Sequence, residues 1–127
     1  MVAYSFRPRF VEPIRTGFKR QTIRADRKRH ACPGEELQLY TGMRTKHFRL
    51  IARATCESIT PITLSFAFRG AILVDKQKWY DLDNFAVLDG FLDWDDLCAF
   101  WREEHGVISE FTGVRITWRP LPQADAS

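Results

Sequence analysis

The segment "GFKRQTIR", residues 17–24, sets three cations, Lys19, Arg20 and Arg24, around one hydroxyl, Thr22. On a strand, residues two apart share a face, so Thr22 and Arg24 point together with Arg20 beside them, while Gln21 and Ile23 point the other way. A hydroxyl between guanidiniums suits a phosphate or a polarised carbonyl. Arginine grips such oxygens through two parallel N–H donors, and the hydroxyl adds a donor or a nucleophile. Lys19 lies three residues before Thr22, off this register, and joins the group only if the chain turns or bulges just after Gly17. The bland reading of the same residues is an exposed basic edge strand that deters aggregation. A hydrolase also wants a carboxylate. Asp89, in "LDGF", precedes Gly90 at an expected helix end, where a backbone turn can present a side chain to a cleft.

Cations are concentrated early in the chain. Residues 1–53 hold 13 of the 19 Lys and Arg but only 4 of the 16 Asp and Glu. If folding gathers Arg20, Arg27, Lys28, Arg29, Arg44 and Lys46 on one face, their field concentrates polyanions; otherwise they pair with the acidic second half. Asp93, Asp95 and Asp96 read as capping and helix-dipole residues. His30, Cys32 and Cys56 lack the compact spacing of a zinc site, so no metal or cofactor is expected. Neither GxxxxGK[ST] nor GxGxxG occurs.

The elements that must position these residues follow from periodicity. At 127 residues the chain fits one domain, expected over 1–119, with a frayed tail over 120–127. "RFVEPIRTG" predicts a short helix ending at Gly17, and "KRQTIR" a strand. "ELQLY" and "HFRLIARATC" alternate as two strands, the second with Phe48, Leu50, Ala52 and Ala54 on one face, joined by the hairpin loop "TGMRTK". "SITPITLSF", with Pro61 at an edge or bend, "GAILVD" and "FTGVRITW" supply further strands. "LDNFAVLDGF" and "DWDDLCAFWREEHG" predict two helices. The second is capped by Asp93, with Trp94, Leu97, Cys98 and Trp101 forming a core stripe. These elements describe an α+β chain on an antiparallel or mixed sheet of about six strands, enough to close a small barrel. Phe66, Phe68, Trp79 and Tyr80 belong either to the core or to an exposed interaction patch.

No run of about 18 apolar residues exists to span a bilayer. Arg7 and Arg9 occupy the place where an export signal needs its apolar core. The three cysteines form no CxxC pair, as suits a reducing compartment, so a cytoplasmic protein away from membranes is expected.

Taken in order, "GFKRQTIR", "PGEELQLYTGMRTK" and "LDGF" before the Trp-rich helix make the chain resemble an ASCH domain, the small module related to PUA domains. The match in order and spacing runs from about Phe6 to Trp118. The resemblance implies a PUA-like β-barrel of five to six mostly antiparallel strands with two to three flanking helices around a cleft. Small members of this family are similar to amidohydrolases that remove the acetyl group of N4-acetylcytidine with a lysine, a threonine and a glutamate beside an arginine. Matched along the motif, those roles fall on Lys19, Thr22 and Arg24, and the acid falls on Asp89. Aspartate is one methylene shorter than glutamate and reaches about 1.5 Å less from the backbone.

On this reading Lys19 is the general base, Thr22 or a water the nucleophile and Arg24 the oxyanion partner, with Asp89 orienting the leaving amine or relaying its proton. The function expected is an ASCH-type cleft that binds RNA or a modified nucleoside, with the basic loops tracking the backbone, and that can hydrolyse it; the alternatives are an N4-acetylcytidine amidohydrolase proper and a metal-independent ribonuclease using the same four residues. The chain would act as a monomer or weak dimer.

Overall fold

The computed structural model describes residues 2–121. The first strand, β1 (Val2–Phe6), stops where Pro8 opens a 3-10 turn, Pro8–Phe10, that runs into helix α1 (Val11–Thr16). Pro13 sits in the first turn of α1, where a missing N–H costs little. Gly17 ends the helix in the left-handed region, φ 84°, and its N–H bonds to Ile14 O at 3.2 Å. The chain then enters β2 (Gln21–Arg24), crosses the basic loop and forms β3 (Glu36–Thr41) and the long β4 (Arg49–Ser65). The short hairpin β5 (Ala71–Val74) and β6 (Gln77–Trp79) precedes helices α2 (Leu82–Leu88) and α3 (Trp94–His105), and β7 (Glu110–Pro120) returns through the sheet.

The α+β class holds, and all seven strands share one mixed sheet. Its path is β1-β3-β4-β5-β6, with β7 paired to both β4 and β2; only β1 and β3 run parallel. Strand β4 is the spine, because β7 pairs with it from Ala54 to Ser65 while β3 and then β5 use its remaining pairing positions. Pro61 falls where β3 has ended and β5 has not begun, so its missing N–H breaks no ladder there.

Four expectations need correction. The strand count is seven because Val2–Phe6 pairs with β3 as a strand and because β6, only three residues long, follows a turn through Asp75 (φ 51°) and Lys76 (φ 68°) without the glycine that marks such turns. "HFRLIARATC" and "SITPITLSF" are also one strand. Phe48 and Leu50 do not face inward: the register shifts between Leu39 and Tyr40, and both side chains are exposed, with Phe48 stacked on Tyr40 at 4.8 Å. Finally, the hydrogen-bonded path does not close into a ring, because β1 and β2 form no ladder with one another.

Leu37, Leu39, Ile62, Leu64, Ile116 and Trp118 from the sheet pack with Phe85, Ala86, Leu97 and Trp101 from the helices. Burying each large apolar side chain stabilises by about 1.5–3 kcal/mol. Helix α3 begins as its sequence predicts, with Asp93 accepting from Asp96 N at 2.8 Å and the Asp96 carboxylate reaching back to Leu92 N at 2.9 Å. Trp94, Leu97 and Trp101 form its buried stripe. Of the four aromatics proposed as a patch, Phe66 stacks on Trp94 and Trp79 packs edge-on to Phe85, while Phe68 and Tyr80 are exposed. β7 runs one residue past the expected domain end, and residues 122–127 of the proposed tail lie outside the described residues. Among the described residues, no helix is long and apolar enough to cross a membrane.

Candidate active site

A cavity of about 290 Å³ opens where β1 and β2 fail to pair, lined by Ser5 and Phe6 from one strand and Thr22, Ile23 and Arg24 from the other. Lys19 and Asp89 also line it, so the two separated sequence segments meet. The Arg24 guanidinium spans the gap, donating to Ser5 O at 2.7 Å, while its Nε donates to Thr22 Oγ1 at 3.0 Å. The strand reading of Thr22 and Arg24 as one face is therefore correct.

Lys19 reaches the cavity because the chain turns at Gly17. The left-handed glycine lets the backbone double back, Lys19 N bonds to Pro13 O at 2.9 Å, and β2 begins only at Gln21. Its side chain runs beneath Gly90, which also has a positive φ of 93°; a Cβ there would lie 2.9 Å from Lys19 Cδ and 3.0 Å from the Phe10 ring. Nζ ends 4.7 Å from the Phe10 centroid and 5.5 Å from that of Phe6. It donates to the backbone carbonyl of Asp89 at 2.6 Å and to Oδ1 of the same residue at 3.2 Å. That carbonyl closes α2, so Lys19 supplies the cation that a helix C-terminus favours.

Burial dominates the electrostatics. The Lys19 and Asp89 side chains are 3% and 6% exposed. Desolvation pushes the lysine below its ordinary pKa, with Asp89 opposing the shift and Arg24 and Arg9 adding to it. Desolvation likewise pushes Asp89 above the ordinary carboxylate range, against the pull of Lys19, Gln21 and Arg24. Each charge is disfavoured alone and retained through the other. Arg24 is lowered chiefly by burial and stays charged, its guanidinium over the rings of Tyr4 and Phe6.

The remaining wall is aromatic: Phe10, Phe91, Phe100, Trp101 and Phe111. At the mouth, Arg7 pairs with Glu104 at 2.6 Å, and His105 packs at a tilt against Trp101 at 4.6 Å. The helical stripe pointed to Trp101, but nothing in the spacing identified Arg7 with Glu104, whose partners are 97 residues apart. Arg9 was likewise missed; it pairs with Asp96 at 2.6 Å and lies over the Phe91 ring.

The basic residues divide. Arg20 does not join Thr22 and Arg24, because it precedes β2: its N–H bonds to Leu88 O, its Nε folds back to Gly17 O, and it lines a separate hollow with Gln21 and Arg115. Arg27 sits over the outer face of Tyr4 at 5.0 Å, within electrostatic reach of Arg24. Arg29 is paired with Glu35 at 2.5 Å. Lys28, Arg44 and Lys46 are exposed and, among the described residues, have no ion-pair partner. The hairpin carrying Arg44 and Lys46 lies beside Pro8, next to the residue that guards the mouth.

No family model, curated protein or solved structure matches this chain.

Proposed function

We propose that the protein hydrolyses the exocyclic amide of an N4-acylated cytosine nucleoside, N4-acetylcytidine being the model substrate. The observation that carries this reading is the convergence of Lys19, Thr22, Arg24 and Asp89 on one aromatic cavity of about 290 Å³. Ligand pockets run from about 300 Å³ upward, so this one takes a single base with its sugar toward the mouth, not a stretch of polymer. Aromatic walls suit the faces of a pyrimidine, and the buried polar groups suit its amide. The ASCH resemblance assigns the same four residues.

The chemistry follows from the placement. Lys19, whose lowered pKa lets its ammonium lose a proton to solvent first, takes the proton of the Thr22 hydroxyl, whose oxygen already accepts a bond from Arg24. Thr22 Oγ attacks the acyl carbon, and the oxyanion that forms is met by the Arg24 guanidinium. Lys19 returns its proton to the departing N4 nitrogen as the C–N bond breaks, and Asp89 holds the ammonium in line. Lys19 then takes a proton from a water that attacks the Thr22 ester and returns it to Thr22 Oγ as the C–O bond breaks, which releases the carboxylic acid and restores the hydroxyl. The test is chromatography of N4-acetylcytidine incubated with the protein. Wild type releases equal amounts of cytidine and acetate, and Lys19→Met releases both more slowly by about 10²–10⁴-fold; release by the variant at the wild-type rate would remove Lys19 from the reaction.

A second reading, in which the nucleoside arrives within RNA, is favoured by the exposed cations Lys28, Arg44 and Lys46, which have no ion-pair partner among the described residues, and by Arg27 beside the site. It requires affinity for single-stranded RNA that falls steeply with salt and weakens in Arg44→Ala and Lys46→Ala.

A further inference from the structure

Behind the cavity, Gln21 is 1% exposed and points away from Thr22, as alternation along β2 dictates. Its amide oxygen accepts from Arg115 Nε at 2.8 Å. Arg115 lies on β7, paired across from Ile23, with its guanidinium 5.1 Å from the Trp79 ring and 5.8 Å from that of Phe85. These rings and the Gln21 bond fix the arginine. With its oxygen committed, the amide must turn Nε2 the opposite way, and among the described residues that buried nitrogen has no hydrogen-bond partner. Leaving such a donor unsatisfied is costly, so it needs an acceptor nearby. Asp89 is the candidate the backbone offers. Arg20 N bonds to Leu88 O at 3.1 Å, which brings the next residues along, Gln21 and Asp89, beside one another, and among the described residues the Lys19 bond to the carboxylate goes to Oδ1; the lowering effect of the Gln21 amide on the Asp89 pKa agrees with this placement.

We propose that Gln21, clamped by Arg115, is a positioning residue that supplies the Asp89 carboxylate with a second donor and holds it ionised while Lys19 gives up and regains its proton. Its part in turnover rests on the hydrolytic reading above; the pairing itself does not. The charged groups facing Asp89 are Lys19 from the turn before β2, Arg24 from β2 and Arg115 from β7, and Arg9 bears on Lys19 from the 3-10 turn. Arg115 is bonded to the Gln21 amide oxygen, so its charge bears on Asp89 alongside that amide. A neutral amide can donate there without adding a further buried charge.

The experiment titrates the Asp89 carboxyl carbon by NMR in the free protein, with no substrate present, in wild type, Gln21→Met and Arg115→Met. Methionine keeps the length and removes the donor. The Asp89 midpoint moves to higher pH by about one unit in Gln21→Met, a tenfold change in its protonation equilibrium. Arg115→Met, which touches a half-buried residue and stands in if Gln21→Met does not fold, moves it in the same direction. An unmoved midpoint in a folded variant overturns the proposal. In turnover of N4-acetylcytidine, the same variants lower kcat more than they raise KM and carry the acid limb of the pH profile upward. A moved midpoint in a protein that hydrolyses nothing upholds the pairing and removes the hydrolytic reading; hydrolysis with an unmoved midpoint does the reverse.

Discussion

Lys19 contacts Asp89 twice, at the backbone carbonyl that ends α2 and at the carboxylate, and both side chains are sealed from solvent. One ammonium thus closes a helix, satisfies a buried acid and fronts the cavity. Stability and chemistry are linked through it, and they can be separated by substitution.

Removing one member of the pair leaves the other charge buried and uncompensated. Lys19→Met and Asp89→Leu are each expected to destabilise by about 3–5 kcal/mol in denaturant unfolding. The double variant recovers most of this loss, because two apolar side chains in the same space carry no desolvation penalty. Additive losses in the double variant would show that the two residues do not act as a pair.

The pH dependence has a defined sign. Lys19 binds its proton less tightly in the folded chain than in the unfolded one, so stability rises as pH climbs from its lowered folded pKa toward the usual lysine value of about 10.4. Asp89 binds its proton more tightly when folded, so stability falls as pH rises from about 3.9 through its raised folded pKa. As a base, Lys19 gives a kcat/KM that increases with pH along a limb centred below the ordinary lysine value. Asp89→Asn removes the charge that holds the lysine pKa up and moves that limb to lower pH. A limb that stays in place in this variant would contradict the assignment.

Gly90→Ala tests how the lysine is threaded. The new Cβ meets the Lys19 stem and the Phe10 ring, in a backbone conformation that alanine rarely adopts. A cost of about 1–3 kcal/mol is expected, as for other overpacked cores. Loss of turnover should exceed what that instability explains, because Nζ is displaced; thermal unfolding and kcat measured together decide it.

How much of this could be read beforehand depended on the range of the interaction. Thr22 with Arg24, the Gly17 turn, the Asp93 cap and the Trp101 stripe are local, set by strand and helix periods, and the sequence carries them plainly. Arg20 departs from the expected face because β2 begins at Gln21, two residues after the start of "KRQTIR", a boundary that alternation cannot fix in so short a run. Phe48 and Leu50 went wrong through a register shift that leaves no mark in composition. The Arg7–Glu104 pair and the Gln21–Arg115 bond join positions 97 and 94 apart, and such contacts appear only once the chain is folded. The gap between β1 and β2 is equally invisible, since strand count alone permits a closed ring.

The most direct measurement is kcat/KM for N4-acetylcytidine in Lys19→Met, Thr22→Val and Asp89→Asn, singly and combined. Residues that act as one unit are non-additive. The account predicts a loss of about 10²–10⁴-fold in Lys19→Met, as for a missing general base, with combined variants no worse than the most damaged single one. Combined losses equal to the product of the single losses, or single variants that turn over at the wild-type rate, would contradict it.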